Sequence, residues 1–94
     1  MGLLKPGQVK TVMRALPGWR LAGRAIVRRI RHKDFVAAMR TVNKLAKLAE
    51  EKQHHPDFQI HWNVLTLKLW SHDMGGITER DVRMARAINK AFPP

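Results

Sequence analysis

Two short runs near the middle of the chain restrict its fold more than any other feature. Phe58, Ile60 and Trp62 alternate with Gln59 and His61, and Leu65, Leu67 and Leu69 alternate with Thr66, Lys68 and Trp70. The apolar parity changes from even to odd between the runs. Successive side chains of a strand point to opposite faces, so one unbroken strand would send the two sets to opposite sides. A tight turn near Asn63-Val64 returns both sets to one face. The pattern predicts a β-hairpin with a single apolar side, in which Trp62 reads most simply as core. Trp70 and His72 then share the face opposite the three leucines.

A hairpin with one apolar face needs a cover. Phe35, Ala38, Met39, Val42, Leu45, Ala46 and Ala49 repeat at the i, i+3, i+4, i+7 spacing of an amphipathic helix. Asp34 is placed to cap its start. The helix should run to about Gln53, because Pro56 disfavours a helical His55. Upstream, Val9, Val12, Met13 and Leu16 predict a short helix over about residues 7–16, halted by Pro17-Gly18. From Trp19 to Ile30 the pattern becomes strand-like, with a turn around Ala22-Gly23, and the arginines of this first hairpin are expected on its wet face. Gly75-Gly76 marks a loop. Thr78 through Asp81 has the form of a capping box, with Ile77 and Val82 in the staple positions. Val82, Ala85, Ile88 and Phe92 would be the buried stripe of the last helix. The expected fold is α+β in the order α-β-β-α-β-β-α: a four-stranded antiparallel sheet with three helices on one face, in a single domain over 1–94.

Composition narrows the function. The 94 residues include no cysteine, which excludes disulfides, thiolate catalysis and cysteine-type zinc sites. No apolar run approaches the ~20 residues that span a bilayer, and no apolar segment has the form of a secretory signal. No membrane association is expected, and the location expected is the cytoplasm, with an organelle as the other choice. The 18 Lys+Arg against 7 Asp+Glu give a net charge of +11. Residues 1–33 hold nine of the cations and no acid. That third reads as a solvated basic face, as a site for nucleic acid or another anionic partner, or as an organellar presequence. Its element-like patterning argues against the last. No helix-turn-helix, zinc finger or aromatic RNA-binding strand accompanies the charge.

Four of the five histidines, His54, His55, His61 and His72, fall between positions 54 and 72. The helix end at His54-His55 and the strand end at His72 are rim positions, where imidazoles can share a cleft. Histidine titrates nearest neutrality and so can move protons both ways. Simpler readings stand beside this one. A histidine at a helix C-terminus can cap it, His61 is a polar residue on a wet strand face, and Asp81 is first a capping acid. The pattern alone leaves a catalytic cluster and a divalent metal site, with Asp57 and Asp73 nearby, equally open. It shows no Ser-His-Asp arrangement and no phosphate-binding glycine loop.

The combination Glu50-x-x-x-His54-His55-Pro56, then Trp62, His72 and Asp81 after gaps of five, nine and eight residues, resembles the signature of the pterin-4a-carbinolamine dehydratase family. The tract Ser71 to Thr78, the Gly18-Trp19 pair and Lys33-Asp34-Phe35 ahead of the long helix match it too, so the resemblance covers almost the whole chain. It implies dehydration of a 4a-hydroxytetrahydropterin to quinonoid dihydropterin, in tetrahydropterin recycling, with no metal and no organic cofactor. By resemblance His54 and His72 are the acid/base pair and His55 helps to hold the substrate. Pro56, Trp62, Ser71 and Asp73 would contact the pterin, and Glu50, Thr78, Arg80 and Asp81 would support the site. The resemblance also implies a homodimer or homotetramer. Some animal members dock the dimerisation helix of a homeodomain transcription factor, so a non-catalytic binding module for a helix or nucleic acid is the alternative. The basic first third, and His32 where the family commonly has an aromatic, depart from the pattern.

Overall fold

Both hairpins form where the changes of period place them. The computed structural model describes residues 2–94. Its elements are α1 (Pro6–Arg14), β1 (Trp19–Ala22), β2 (Ala25–Arg31), α2 (Phe35–Lys52), β3 (Asp57–His61), β4 (Val64–Leu69) and α3 (Glu79–Ala91). The strands make one antiparallel sheet in the order β1-β2-β4-β3.

Register explains where the core lies. Ile26, Arg28 and Ile30 of β2 stand opposite Leu69, Leu67 and Leu65 of β4. On the other side of β4, Phe58 and Ile60 stand opposite Leu67 and Leu65. Partners across a ladder share a face, so the parity argument holds. Leu65, Leu67 and Leu69 are buried together with Val9 of α1, Leu45 and Ala49 of α2, and Met84, Ala85 and Ile88 of α3. All three helices therefore close on the face that carries these leucines. Each fully buried aliphatic side chain stabilises by roughly 1.5–3 kcal/mol.

The helix boundaries follow local chemistry. Asp34 Oδ1 accepts from the Ala37 amide at 2.8 Å and starts α2. At its end Gln53 takes a left-handed φ of 53°. The Gln53 and His54 amides then close on the Glu50 and Ala49 carbonyls, a Schellman arrangement that turns the chain before Pro56. Thr78 caps α3 through its hydroxyl, and its amide donates to Asp81 Oδ2 at 2.8 Å, the expected capping box. Ile77 and Val82 are both buried. The helix α1 ends at Arg14, a turn before Pro17, yet Leu16 beyond it is still buried.

Four expectations fail, each for a geometric reason. Trp62 is not core. It sits in the β3–β4 turn with φ 54° and is 69% exposed. Phe58 lies on the core face, but β3 is an edge strand and the residue remains half exposed. On α2 the apolar stripe is wider than its contact: Ala38, Leu45 and Ala49 are buried, whereas Phe35 and Ala46 are exposed. Arg28 is not on the wet face of its hairpin. Its register opposite Trp19 and Leu67 directs it inward, and it is 4% exposed.

The inward Arg28 is accommodated by Asn89 of α3. Asn89 Oδ1 accepts from Arg28 Nη1 at 2.8 Å and from Trp19 Nε1 at 2.9 Å, while Asn89 Nδ2 donates to the Pro17 carbonyl at 2.9 Å. Burial pushes the Arg28 guanidinium below its usual pKa. Removing the acceptor leaves two donors unmatched, one of them charged, which costs more than the bonds contribute. Asn89→Ala is expected to lower stability by about 2–3 kcal/mol, read as a melting temperature lower by roughly 10–20 °C. Adding Arg28→Met to that variant removes the stranded charge and should restore part of the loss in the same melt.

Candidate active site

The end of α2, the loop Ser71 to Gly76 and the start of α3 meet at one rim of the sheet. Their meeting is centred on Asp81. This residue is N3 of α3, so its carboxylate is aimed back along the helix start, and it is 0% exposed. Asp81 Oδ2 accepts from the Thr78 amide at 2.8 Å and from Ser71 Oγ at 3.0 Å. Asp81 Oδ1 lies 2.6 Å from His54 Nε2. Ser71 Oγ and Thr78 Oγ1 are 2.7 Å apart. A buried carboxylate with three donors has little acceptor capacity left, so its partners are fixed in place.

The loop that delivers Ser71 is closed on itself. The Ser71 carbonyl accepts from the Gly75 amide at 2.8 Å, and the Ser71 amide donates to the Gly76 carbonyl at 2.8 Å. Gly75 has φ 72°, a conformation that a side chain would strain. This tight loop presents His72 and Asp73 outward. Asp73 Oδ1 accepts from Arg80 Nη2 at 2.6 Å. The Arg80 guanidinium holds the Asp73 carboxyl below the usual carboxylate range. A lowered pKa means that the link is complete above the ordinary carboxylate range and is lost as the pH falls through the lowered value.

His72 is oriented by two neighbours. Its ring lies 4.0 Å from that of Trp70, tilted by 35°. Its Nε2 is 3.4 Å from Asp57 Oδ2, which also accepts from Trp70 Nε1 at 3.2 Å. Asp57 follows His55-Pro56 directly, so this contact ties the end of the hairpin to the end of α2. His55 Nε2 is hydrogen-bonded to Glu50 Oε2, and both side chains are largely exposed. His54 is the enclosed member, with a side chain 12% exposed.

Two depressions flank these residues. His54 lines one of about 470 Å³, together with Arg80 and residues of α3. His55 and Pro56 line a more apolar one of about 290 Å³ with Glu50 and Phe58. Neither is lined by His72, so the three imidazoles share a rim rather than the walls of one cavity. Trp62 stands apart: six strand positions separate it from Pro56, roughly 20 Å of extended chain. His61 is exposed, as a polar residue of a wet face should be. Among the described residues, no three of the His, Asp and Glu side chains gather as a metal-binding group. A further cavity of about 750 Å³ lies against α1 and β1 and reaches the loop at Gly75-Gly76, and no histidine lines it.

The model of the family described as pterin 4 alpha carbinolamine dehydratase matches residues 2–91. The chain belongs to this family. A curated relative from Koribacter versatilis, named "Putative pterin-4-alpha-carbinolamine dehydratase", is 46% identical over 86 residues, covering 92% of each chain. One of the same name from Mycolicibacterium smegmatis is 42% identical over 90 residues, 96% of each. A crystal structure described as a transcriptional coactivator/pterin dehydratase from Brucella melitensis superposes with a TM-score of 0.89 at 33% identity, over 95% of this chain and 97% of that one. Among the described residues of this chain, no helix is long and apolar enough to cross a membrane.

The sequence signature of the dehydratase family thus maps onto one connected rim, with Trp62 outside it. Two contributors escaped the sequence reading. Asp57 entered only as a candidate metal ligand, and Trp70 only as a neighbour of His72 on its face. The alternation of β4 continued to position 72 was the signal that joined them.

Proposed function

We propose that the chain dehydrates a 4a-hydroxytetrahydropterin to quinonoid dihydropterin and water, in the recycling of tetrahydropterin, with His54 and His72 moving the protons. The observation that supports this most is the 2.6 Å contact between His54 and the fully buried Asp81. An Nε2–H donating to that carboxylate fixes the tautomer of a neutral ring, so Nδ1 carries the lone pair that can take a proton. The imidazolium formed by that transfer stays hydrogen-bonded to Asp81, as in other acid/base pairs with a buried carboxylate behind the ring.

The reaction breaks the C4a–O bond. The lone pair of the ring nitrogen beside C4a forms the C=N bond, the hydroxyl leaves as water with one added proton, and that nitrogen gives up its own proton. One group must therefore donate and another accept. His54 and His72 fill these roles in the proposal, His72 held by Trp70 and Asp57 at the outer side. His55, Pro56 and Asp73 hold the substrate edge, and Ser71 lies buried beneath them against Asp81 and Thr78. Glu50, Arg80 and Thr78 keep His55, Asp73 and Ser71 in position through the bonds described above. General acid–base assistance of this type is typically worth ~10²–10⁴-fold.

The test is the rate at which purified protein converts synthetic 4a-hydroxytetrahydropterin. Conversion at least about tenfold faster than the spontaneous reaction is expected. A rate equal to the spontaneous one overturns the proposal.

A further inference from the structure

We infer that the cavity beside His54 is a subsite for an acidic group on the pterin side chain, a phosphate or a carboxylate, and that the chain prefers pterins with such a tail. This deepens the dehydratase reading and rests on it for the placement of the ring.

The cavity of about 470 Å³ is lined by five cations, Lys52, Arg80, Arg83, Arg86 and Lys90, together with His54, and no carboxylate is among its lining residues. Its size lies within the range of small-molecule sites, roughly 300–1,000 Å³. Arg83, Arg86 and Lys90 are three and four positions apart on α3, so they share one face of the helix. Like charges at these spacings destabilise a helix. Arg80 is bonded to Asp73, and Arg86 is only within 3.9 Å of Glu79. Among the described residues Lys52 and Lys90 have no salt-bridge partner.

A bland account covers part of this. Lys52 and Lys90 occupy the last turns of α2 and α3, where a cation meets the negative end of the helix dipole. That account does not reach Arg83 and Arg86, which lie in the middle of α3, nor the convergence of two helices' cations on one concave wall. The pterin ring does not explain it either, because the ring system is uncharged and asks for hydrogen bonds rather than net positive charge. A cleft lined by one sign of charge concentrates the opposite ion. Because His54 lines the same cavity, a ring in contact with that imidazole has the cationic wall beside it. The tail of the substrate is the part of the molecule free to carry the matching charge. Nucleic acid is a weaker match, because the cations face a hollow that also contains the proposed proton-transfer residue.

The experiment compares kcat/KM for three synthetic 4a-hydroxytetrahydropterins that share the ring: one with a neutral hydroxyalkyl tail, one with that tail phosphorylated, and one with a glutamyl carboxylate tail. An acidic tail is expected to raise kcat/KM by about tenfold, equivalent to about 1.4 kcal/mol. The preferred tail tells whether phosphate or carboxylate is the source. The preference should shrink as salt is added, and in the double variant Lys52→Gln, Lys90→Gln the ratio should fall towards one. Equal kcat/KM for all three at low salt overturns the inference. So does a duplex nucleic acid that competes while the tail makes no difference. If none of the three is dehydrated, the dehydratase reading fails separately. Binding of the stable oxidised pterins then decides the subsite: tighter binding of an acidic-tailed form by about tenfold supports it, and equal binding ends it.

Discussion

Replacing Asp81 with alanine is expected to lower the unfolding free energy by about 3–4 kcal/mol, and to bring the melting temperature down by roughly 12–25 °C. The carboxylate serves three partners at once. It closes the capping box of α3 through the Thr78 amide, receives the Ser71 hydroxyl and holds His54. Loss of the cap costs about 1 kcal/mol. The larger part comes from the donors left buried without an acceptor, at about 1–3 kcal/mol. Ser71 and Thr78 are 1% and 0% exposed, so water cannot substitute for the missing oxygen. Asp81→Asn separates structure from chemistry. One amide oxygen can still face Thr78 and Ser71, but the NH2 group then faces His54 and forces the opposite tautomer. That variant should melt within a few degrees of the parent yet lose about 100-fold in dehydration rate. A thermal melt and an initial-rate assay on the same two preparations check both statements.

The sequence made the fold legible where a period or a cap was local. The parity switch around position 63 predicted the β3–β4 hairpin, and Thr78 with Asp81 predicted the start of α3, because each signal lies within a few residues. What escaped depended on pairing across the sheet. Arg28 looks like one more cation in an arginine-rich hairpin, and only the register against Trp19 and Leu67 turns it inward to Asn89, 61 positions away. Trp62 continues the alternation of Phe58 and Ile60, but the turn needs a left-handed residue and takes Trp62 for it. Phe58 keeps its face and still stays half exposed, because it borders the open depression between the edge strand and α2. At the site, the resemblance to the dehydratase family singled out His54, His55, His72 and Asp81, whereas the pattern alone left the histidine cluster open to metal or catalysis and read Asp81 as a cap. Neither told that Asp81 would be buried beneath His54, or that Asp57 and Trp70 would hold His72. The basic face of α3 was present as Arg83, Arg86 and Lys90 at helical spacing, but charge on a helix reads as solvated surface until a cavity is seen beside it.

The two histidines should make unequal structural and equal chemical contributions. His54 is nearly enclosed, and His54→Ala leaves Asp81 with one acceptor oxygen unmatched, so that variant should lose about 1–2 kcal/mol of stability. His72 is largely exposed, bound by a stacked ring and one contact at 3.4 Å, so His72→Ala should melt almost as the parent does. In dehydration each loss should cost about 10–100-fold, since each removes one of two proton transfers. Single-turnover dehydration of synthetic 4a-hydroxytetrahydropterin by His54→Ala, His72→Ala and the double variant decides whether these two imidazoles move the protons. Each single variant is expected to slow by about 10–100-fold and the double variant to approach the spontaneous rate. A folded His72→Ala or His54→Ala protein that turns over at the parent rate would overturn the assignment of the proton transfers to these two histidines.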